Sequence, residues 1–520
     1  MPIHVATVAE TQSLEAAVID GWGFPQALLM ERAALALATL TRRVTAPDRP
    51  IVVLAGSGNN GADGLAAARL LAAAGRKPEV LLVTEPRSPA TSQQATWLQR
   101  WGVTPRPWSP TERLSERTVV LDAMFGFGLN RAPEGTSREA IATLNDSGAT
   151  VIAMDLPSGL DGTTGTAPGE VVRADWTVAA GLVKVGTVTD PALASVGRLV
   201  LGDIGFPAEL LGGLPGTLLS CDPLPARSPS AHKGQAGTLL VVGGSDHMSG
   251  APALVARAAG RIGAGVVVVT VPERIRSVVA GLMPEALVLP LPETPDGAIR
   301  DEAWETLQPW LGRATAGVVG PGLGRDPLSL ALATRLYREW DRPLVLDADA
   351  LQPEILGVPV AGDRLLTPHP GEAGRLLDWP VQRVQADRLS AARTLAERSG
   401  AIAVLKGART IVTTPAGRYG IHVGGHPAMA TAGSGDVLAG ILGGLLAQGL
   451  STEQAARSGV AWHGRCGELA ATRGNGRSLL ATDLIEAIAA PDDCPEGTSG
   501  PDPWLLPLDR GAREALFSPT

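Results

Sequence analysis

The chain has 520 residues, which is too long for a single hydrophobic core and predicts two to four domains. A net charge of -8 at pH 7, without any run of basic residues, disfavours nucleic acid as a partner and favours small molecules. No apolar stretch reaches the roughly 20 residues of a membrane span, and the first residues do not resemble a signal peptide. We therefore expect a globular cytoplasmic protein with no membrane partner.

Lysine is scarce in this chain. It occurs only as Lys77, Lys184, Lys233 and Lys406 among 44 basic residues. Lysine and arginine are exchangeable at most solvated sites, so the four lysines are either chance survivors or mark places that need a compact ammonium group. The sequence leaves both interpretations open.

Two blocks of alternating strand and helix patterns are separated by residues 205–230, a stretch dense in Gly, Pro and Ser. Such alternation predicts parallel sheets covered by helices, so the fold class is α/β with two layered domains. We predict domains at residues 1–215 and 225–490 and a weakly ordered tail at 491–520. Residues 435–448 are apolar on nearly every face and predict a core helix. The apolar runs that predict strands are Ile51–Ala55, Val80–Val83, Val119–Leu121, Val151–Met154, Thr238–Val242, Val266–Val271, Gly317–Val319, Leu344–Leu346 and Ile402–Leu405.

A glycine loop, GSGNNGADG at residues 56–64, follows the first of these runs and opens a helix. Gly56, Gly58 and Gly61 fit a dinucleotide-binding fingerprint, which is a weak signal by itself. Adjacent Asn side chains add to it, because they can coordinate a cation or hold a polar ligand beside a helix N-terminus. The alternative is that the glycines only shape the backbone.

Two further loops, at residues 121–128 and 154–161, also follow strands of the first block. Ligands of open α/β sheets bind at the carboxyl ends of the strands. Asn60, Asp122, Asp155 and Ser158 are therefore expected to converge from three loops. Any one of these Asp residues is as well explained as the cap of a helix or turn.

The motifs GSGNNGADG, LDAMFGFG, MDLPSGLDG and LLMERAA resemble the NAD(P)H-hydrate epimerase family over residues 1–215. The resemblance implies a Rossmann-like domain in which Asp155 transfers protons and a potassium ion is held by Asn60, Asp122 and Ser158. Ala62 stands where the family usually has Gly, a change that strains the backbone only if φ is positive there. The residues implied to contact the hydrate are Asn59, Asn60, Gly61, Ala62, Asp63, Gly126, Phe127, Gly128, Leu129, Asn130, Arg131, Ala132 and Asp155.

In the second block, ATAGSGDVLAG at residues 430–440 runs straight into the apolar helix. Exposed amides and a helix dipole make an anion site, so Gly433, Ser434 and Gly435 can present N–H groups to a transferring phosphoryl group. Asp436 can accept a proton from the attacking hydroxyl group. The alternative is a capped helix start with an acidic first turn.

Four more segments each follow a strand pattern: GPGLG, LDADAL, TPHPGE and LKGART. Lys406 lies at a strand end, where it could meet a nucleotide phosphate. His369 lies between two prolines and either contacts substrate or belongs to a plain rigid turn.

These motifs, with HKGQAGTLLVVGGS and ATAGSGDVLAG, resemble the NAD(P)H-hydrate dehydratase family over residues 225–490. The resemblance implies a ribokinase-like domain that uses ADP, with magnesium bridging its phosphates, and Asp436 as catalytic base. Gly322, His369 and Asp436 would contact the hydrate. The residues implied to bind ADP are Lys406, Gly407, Ala408, Arg409, Thr410, Gly433, Ser434 and Gly435.

Together the two halves predict an enzyme that epimerises hydrated NADH and NADPH and then dehydrates the S hydrate at the expense of ADP. Its partners would be NADH hydrate, NADPH hydrate and ADP, and a homo-oligomer is expected. Two alternatives stay open on the sequence alone: a ribokinase-like kinase of a vitamin precursor, and a non-catalytic nucleotide-binding protein.

Overall fold

The computed structural model describes residues 2–128, 131–221, 227–230, 232–300, 302–474, 476–489, 505–508 and 510–517. The chain divides into two compact units, one of Met1–Thr217 with Pro495–Thr520 and one of Leu218–Cys494. No helix in the described part of the chain is long and apolar enough to cross a membrane.

The first unit is built on a mainly parallel sheet of eight strands in the order β20-β9-β7-β6-β5-β2-β3-β4. From β4 to β7 this is the order of a dinucleotide-binding fold, with its reversal between β2 and β5. The first nine strands are β1 (Val5–Ala6), β2 (Ile51–Ala55), β3 (Glu79–Leu82), β4 (Arg106–Pro107), β5 (Val119–Ala123), β6 (Thr150–Met154), β7 (Trp176–Ala180), β8 (Val183–Lys184) and β9 (Arg198–Gly202). The helices are α1 (Val8–Ala16), α2 (Gln26–Val44), α3 (Asn59–Ala73), α4 (Pro89–Arg100), α5 (Gly135–Asp146), α6 (Leu193–Val196) and α7 (Ala208–Leu211), with a π-helix at Ala17–Gly21 and 3-10 turns at Val185–Val188 and Asp190–Ala192.

Both faces of this sheet are buried. β2 alternates its apolar side chains between two clusters, with Val53 in the cluster under α2 and α3 and Leu54 in the cluster under α5. Parallel strands covered on both faces need continuous apolar runs, which is why the sequence pattern predicted them.

The last described residues also belong to the first unit. β20 (Leu505–Pro507) pairs antiparallel with β9, and α18 (Arg510–Phe517) follows it. Leu505, Ala512 and Leu516 are buried in the core of the unit. The prediction of weak order at 491–520 is therefore wrong for these two elements, because their apolar side chains gain burial against the sheet. The remainder of that predicted tail lies outside the described residues.

The second sheet has ten strands in the order β10-β19-β18-β17-β16-β15-β14-β11-β12-β13. The pairs from β17 through β11 to β13 are parallel, and β17-β18-β19 is antiparallel. The strands are β10 (Gly216–Leu218), β11 (Thr238–Val242), β12 (Val266–Pro272), β13 (Leu287–Leu291), β14 (Ala316–Val319), β15 (Leu344–Leu346), β16 (Arg364–Leu366), β17 (Ile402–Leu405), β18 (Ile411–Thr413) and β19 (Tyr419–Ile421). The helices are α8 (Gly250–Ile262), α9 (Arg276–Leu282), α10 (Ala303–Leu311), α11 (Pro327–Glu339), α12 (Pro370–Leu377), α13 (Val381–Ala386), α14 (Arg388–Ser399), α15 (Ser434–Ala447), α16 (Thr452–Thr472) and α17 (Ala481–Ile488), with 3-10 turns at Glu273–Ile275, Ala348–Ala350, Pro353–Ile355 and Pro427–Met429.

The predicted core helix is confirmed as α15, which is buried from Val437 to Ala447. It packs closely against α8, because a Cβ atom on Gly440 would lie 2.4 Å from the Val255 carbonyl oxygen. This contact leaves no room for a side chain at Gly440 and holds the middle of α15 against α8.

Candidate active sites

A cavity of about 450 Å³ opens in the first unit, where β2, β5 and β6 end. Its position is the crevice between β2 and β5, the point at which ligands bind in doubly wound sheets. Of the residues predicted to contact the hydrate, those that line this cavity are Asn59, Asn60, Asp63, Gly126, Phe127, Gly128, Arg131 and Asp155.

Three other predicted contacts are described but do not line the cavity, and their contact with the hydrate stays a prediction. Gly61 and Ala62 are buried in the first turn of α3 and Ala132 follows Arg131, and none of the three lines the cavity. Leu129 and Asn130 lie outside the described residues.

The start of α3 is held against the sheet by close backbone contacts. A Cβ atom on Gly61 would lie 2.0 Å from the Gly56 carbonyl oxygen, and one on Gly56 would lie 1.8 Å from that of Met124. Ala62 is not among the residues with positive φ, so the departure from Gly at this position strains nothing.

Asp155 and Lys184 form a buried ion pair at the cavity wall. Lys184 Nζ donates to Asp155 Oδ1 at 2.5 Å and to the Ala180 carbonyl oxygen at 3.1 Å. The exposed fraction is 4% for Asp155 and 1% for Lys184, so each charge depends on the other for its stability. Asp155 also has φ of 67°, an unfavourable conformation for a residue with a side chain that is often found at functional sites.

Two more carboxyl groups, Glu15 and Asp63, line the same cavity. Burial raises the pKa of Asp63 well above its usual value, and the charges of Asp155 and Glu15 raise it further against the opposing effect of Lys184. Burial also raises the pKa of Glu15, with Lys184 lowering it and Asp155 raising it. The cavity therefore holds several carboxyl groups around one ammonium group and favours protonation of Asp63.

Asp122 and Ser158 join two of the predicted loops beneath the cavity. Ser158 donates its hydroxyl group to Asp122 Oδ1 at 2.6 Å and its backbone N–H to Oδ2 at 2.8 Å. Ser158 Oγ accepts the backbone N–H of Phe125 at 2.9 Å. Burial raises the pKa of Asp122 to about 6, although these hydrogen bonds lower it.

Asn60 approaches this loop from α3. A Cβ atom on Gly126 would lie 3.4 Å from Asn60 Oδ1, and the buried amide nitrogen of Asn60 has no hydrogen-bond partner among the described residues. The three loops thus meet at Phe125 and Gly126. Asp122 also accepts the Met124 N–H two residues ahead at 3.3 Å, so its turn-forming role and its place in the site coexist.

In the second unit, the predicted glycine loop leads into α15 as expected. Gly433 adopts φ of 86°, and Asp436 lies in the first turn of the helix. Burial, followed by the negative charge of Asp347, raises the pKa of Asp436 to about 7, while Lys406 opposes the shift. A carboxyl group with this pKa is suited to accept a proton near neutral pH.

Lys406 lies between the start of this helix and the carboxyl groups of Asp347 and Glu372. Its Nζ is 2.7 Å from Asp347 Oδ1 and 3.8 Å from Glu372 Oε2, and a Cβ atom on Gly435 would lie 3.5 Å from it. Burial lowers the pKa of Lys406, but the charges of Asp347, Glu372 and Asp436 outweigh burial and raise it. Lys406 therefore remains an ammonium group next to the predicted anion site.

Hydrogen bonds from a buried arginine hold the backbone of the predicted nucleotide loop at residues 406–410. The buried guanidinium group of Arg388 donates to the carbonyl oxygens of Leu405, Lys406 and Arg409 at 3.1 to 3.4 Å. Thr410 closes the turn by donating to the Gly407 carbonyl oxygen at 3.0 Å. Gly407 and Ala408 are exposed at the tip of this loop.

His369 caps helix α12. Its Nδ1 accepts the backbone N–H groups of Gly371 and Glu372 at 3.0 and 3.4 Å, and Glu372 Oε2 accepts the His369 N–H at 2.7 Å. Burial and the charge of Lys406 lower the pKa of His369. The rigid-turn interpretation is therefore correct in part, and contact with substrate stays a prediction.

Gly322 lies in a loop that packs against the Asp347 segment. It is buried with φ of 66°, and a Cβ atom there would lie 2.7 Å from the Met248 carbonyl oxygen. On Gly320 a Cβ atom would lie 1.9 Å from the Asp347 carbonyl oxygen. The structure thus brings the GPGLG and LDADAL motifs together.

Two family models match the chain in the order of these sites. The model described as YjeF-related protein N-terminus matches residues 26–186, and the model described as NAD(P)H-hydrate dehydratase matches residues 239–490. The bifunctional NAD(P)H-hydrate repair enzyme of Moorella thermoacetica is 37% identical over 506 residues, covering 93% of this chain and 96% of its own. The enzyme of the same name from Escherichia coli is 36% identical and covers 88% of each chain.

This chain belongs to the bifunctional NAD(P)H-hydrate repair enzyme family.

A solved structure resembles the dehydratase half of this family member. It is the ADP/ATP-dependent NAD(P)H-hydrate dehydratase from Bacillus subtilis, co-crystallised with ATP and magnesium, at 31% identity and a TM-score of 0.45. It covers 51% of this chain and 92% of its own.

Family membership confirms the sequence prediction of a bifunctional enzyme with a Rossmann-like unit followed by a ribokinase-like unit. It decides against the vitamin-precursor kinase, in which the first unit has no place, and against the non-catalytic binding protein.

Sequence reasoning missed the charged partners of the predicted site residues in this repair enzyme. Lys184 pairs with Asp155, and Asp347 and Glu372 pair with Lys406, across segments distant in sequence. Glu15, also distant in sequence, lines the same cavity as Asp155. The scarcity of lysine was the one available signal, since two of the four lysines are the cations of the two sites, Lys184 fully buried and Lys406 with 18% of its side chain exposed.

Proposed function

We propose that the first site interconverts the R and S hydrates of NADH and NADPH and that the second site dehydrates the S hydrate with ADP. The products are NAD(P)H, AMP and phosphate. The observation that carries this proposal is that each unit has its own carboxyl and ammonium groups at strand ends: Asp155 with Lys184, and Asp436 with Lys406. The first unit restores the S hydrate from its epimer, so that the second unit can act on the whole damaged pool.

In the first site, Asp155 is the proton-transferring group. It lies at the cavity wall, buried and fixed by Lys184 and by the Ala180 N–H at 3.1 Å. A carboxylate held in this way can take the proton of the 6-hydroxyl group without reorganising. Asn59, Asp63, Phe127 and the other cavity-lining residues named above are proposed to hold the hydrate.

In the second site, Asp436 is the base. Its carboxylate takes the proton of the 6-hydroxyl group as that oxygen attacks the terminal phosphorus of ADP and AMP leaves. The N–H groups of Gly433, Ser434 and Gly435 face the phosphoryl group at the start of α15, where the helix dipole stabilises negative charge. Loss of phosphate from C6 and of a proton from C5 then restores the reduced nicotinamide.

Nucleotide binding is proposed for the loop from Lys406 to Thr410, with ADP chosen over ATP on family resemblance. Among the described residues, no group of three or more His, Cys, Asp or Glu side chains could hold a metal ion. Magnesium is proposed to enter with the nucleotide and to be held chiefly by its phosphate oxygens.

The oxygen atoms around Asp122 in the first site fit a potassium ion. Asp122 is a fully buried carboxyl group whose hydrogen bonds come only from neutral donors, and Asn60 Oδ1 and Ser158 Oγ add oxygen atoms in the neighbouring loops. Hard cations take such oxygen ligands. When bound, the ion would supply fixed positive charge beneath the hydrate.

We expect potassium to stabilise the first unit more strongly at about pH 8 than at about pH 5, because a pKa of about 6 leaves Asp122 protonated at the lower pH. At potassium concentrations near 100 times the dissociation constant, the gain is about 2.7 kcal/mol, which raises the melting temperature by several degrees. The measurement is the melting temperature in potassium chloride compared with that in choline chloride. Asp122→Asn should abolish the stabilisation by potassium. An equal stabilisation in that variant would contradict the proposed potassium site.

The proposed function is tested by giving the purified full chain a mixed-epimer NADH hydrate, ADP, magnesium and potassium. We expect the absorbance of NADH to return completely in the wild type. In Asp155→Asn the S fraction should return quickly and the R fraction only at the spontaneous rate, a slowing of about 10²–10⁴-fold in the catalysed step. Failure of the wild type to restore NADH with either ADP or ATP would overturn the proposal.

A homo-oligomeric assembly and a cytoplasmic location stay predictions from the sequence.

A further inference from the structure

Lys184 has a donor left over after its contacts within the protein. Its ammonium group has three N–H bonds. Two of them are directed to Asp155 Oδ1 at 2.5 Å and to the Ala180 carbonyl oxygen at 3.1 Å. No third acceptor occurs among the described residues, and Lys184 lines the cavity. The remaining N–H bond is therefore available to a bound molecule.

The surroundings of Lys184 restrict what that molecule can present. The ring of Phe127 lies 5.3 Å from Nζ, and Glu15 and Asp63 line the same cavity. The carboxylate of Asp155 and the face of Phe127 stabilise a positive charge on Lys184, and neither Glu15 nor Asp63 accepts its third proton in the observed arrangement. A basic atom of the ligand is the natural acceptor.

Inversion at C6 of the hydrate requires one of two bonds to break. If the C6–O bond breaks, hydroxide leaves and water returns on the other face. If the C6–N1 bond breaks, the ring opens to an aldehyde, and one proton must move from the 6-hydroxyl oxygen to N1. The second route needs a base and an acid at the same time, at the oxygen and nitrogen atoms that are both bonded to C6.

We propose that Lys184 is the acid that protonates N1 while Asp155 is the base that deprotonates the 6-hydroxyl group, so that epimerisation proceeds by ring opening. This inference rests on the proposed epimerase function of the same site. As the C6–N1 bond breaks, its electron pair takes a proton from the ammonium group, and the oxygen releases its proton to the carboxylate as C6=O forms.

Ring closure returns both side chains to their starting forms. After ring opening Asp155 is a carboxylic acid and Lys184 is an amine, and the two groups stay in contact at 2.5 Å. Rotation about C5–C6 presents the other face of the aldehyde to N1. Ring closure then reverses both proton transfers and yields the other epimer, with no further reactant consumed.

The first test is Lys184→Met in the full chain, assayed by conversion of the pure R hydrate to the S hydrate. We expect kcat to fall by about 10²–10⁴-fold and KM to change by less than about fivefold, because the lost proton donor acts in the transition state. Thermal denaturation of the variant reports folding of the first unit, and dehydration of the pure S hydrate reports folding of the second. Lys77→Met, an exposed lysine of the same unit, is the matched control and should keep wild-type epimerisation.

A second variant separates proton donation from simple ion pairing. Lys184→Arg keeps a positive charge for Asp155, but a guanidinium group does not release its proton. It should epimerise as slowly as Lys184→Met while retaining KM. Recovery to within about threefold of the wild-type rate would show that Lys184 only pairs with Asp155, and the proposal would be overturned.

Mass spectrometry of the hydrate after turnover in water labelled with heavy oxygen shows whether the oxygen at C6 has been exchanged, and so which bond breaks. Retention of the original oxygen at C6 over many turnovers supports ring opening, whereas one label gained in every turnover shows C6–O cleavage and overturns it. If the wild-type chain does not epimerise the hydrate at all, the proposed function itself is wrong. The R-to-S assay detects this outcome before any variant is made.

Discussion

Asp436→Asn is expected to lower the rate of dehydration of the S hydrate by about 10²–10⁴-fold, since the amide cannot accept the proton of the 6-hydroxyl group. The substitution keeps the shape of the side chain in the first turn of α15, so the fold should be preserved. Epimerisation in the first unit is the internal control. The measurement is the initial rate of NADH recovery with saturating ADP, and a variant within about fivefold of the wild type would remove Asp436 as the base.

The same group sets the pH dependence of the wild-type enzyme. Asp436 has a pKa raised to about 7 by burial and by Asp347. A base must be deprotonated to act, so kcat/KM for dehydration should rise with pH and level off above about pH 7. A rate independent of pH between about pH 5 and pH 8 would contradict this assignment.

Lys406→Met is expected to destabilise the second unit by about 3–5 kcal/mol and to abolish measurable dehydration. The substitution leaves the buried carboxylate of Asp347 without its cation. Its remaining hydrogen bond is the one donated by the Thr367 hydroxyl group at 2.7 Å. The melting temperature should fall by roughly 10 °C. Lys233→Met, at an exposed lysine of the same unit, is the matched control and should melt like the wild type.

A double variant distinguishes stability from chemistry at this pair. Lys406→Met with Asp347→Asn removes both charges, so part of the lost stability should return. Dehydration should not return, because the ammonium group beside Gly435 is still missing. If activity recovered along with stability, Lys406 would be a structural residue and the proposed phosphate contact would be wrong.

Features that depend on local sequence were predicted well. Strands such as Ile51–Ala55 and Thr238–Val242 have the predicted bounds, because a strand buried on both faces needs an uninterrupted apolar run. The loop at Asn60 could be located because a strand, a turn and a helix start follow one another within a few residues, whereas Asp122 lies at the end of a strand and Asp436 in the first turn of a helix. Their common edge of the sheet then follows from the direction of parallel strands.

Features that depend on distant parts of the chain were decided only by the tertiary structure. Lys184 reaches Asp155 from a different strand, and Asp347 and Glu372 reach Lys406 from separate loops, contacts for which the local pattern carries no signal. The raised pKa of Asp436 follows from burial, which is a property of the assembled fold. The segment at Leu505 was expected to be weakly ordered because of its composition. It forms a strand because it hydrogen-bonds to the edge strand β9 and buries apolar side chains there. The local motifs locate the loops proposed to carry the chemistry, whereas the charges that meet at each loop depend on the tertiary structure, since electrostatic pairing acts through space rather than along the chain.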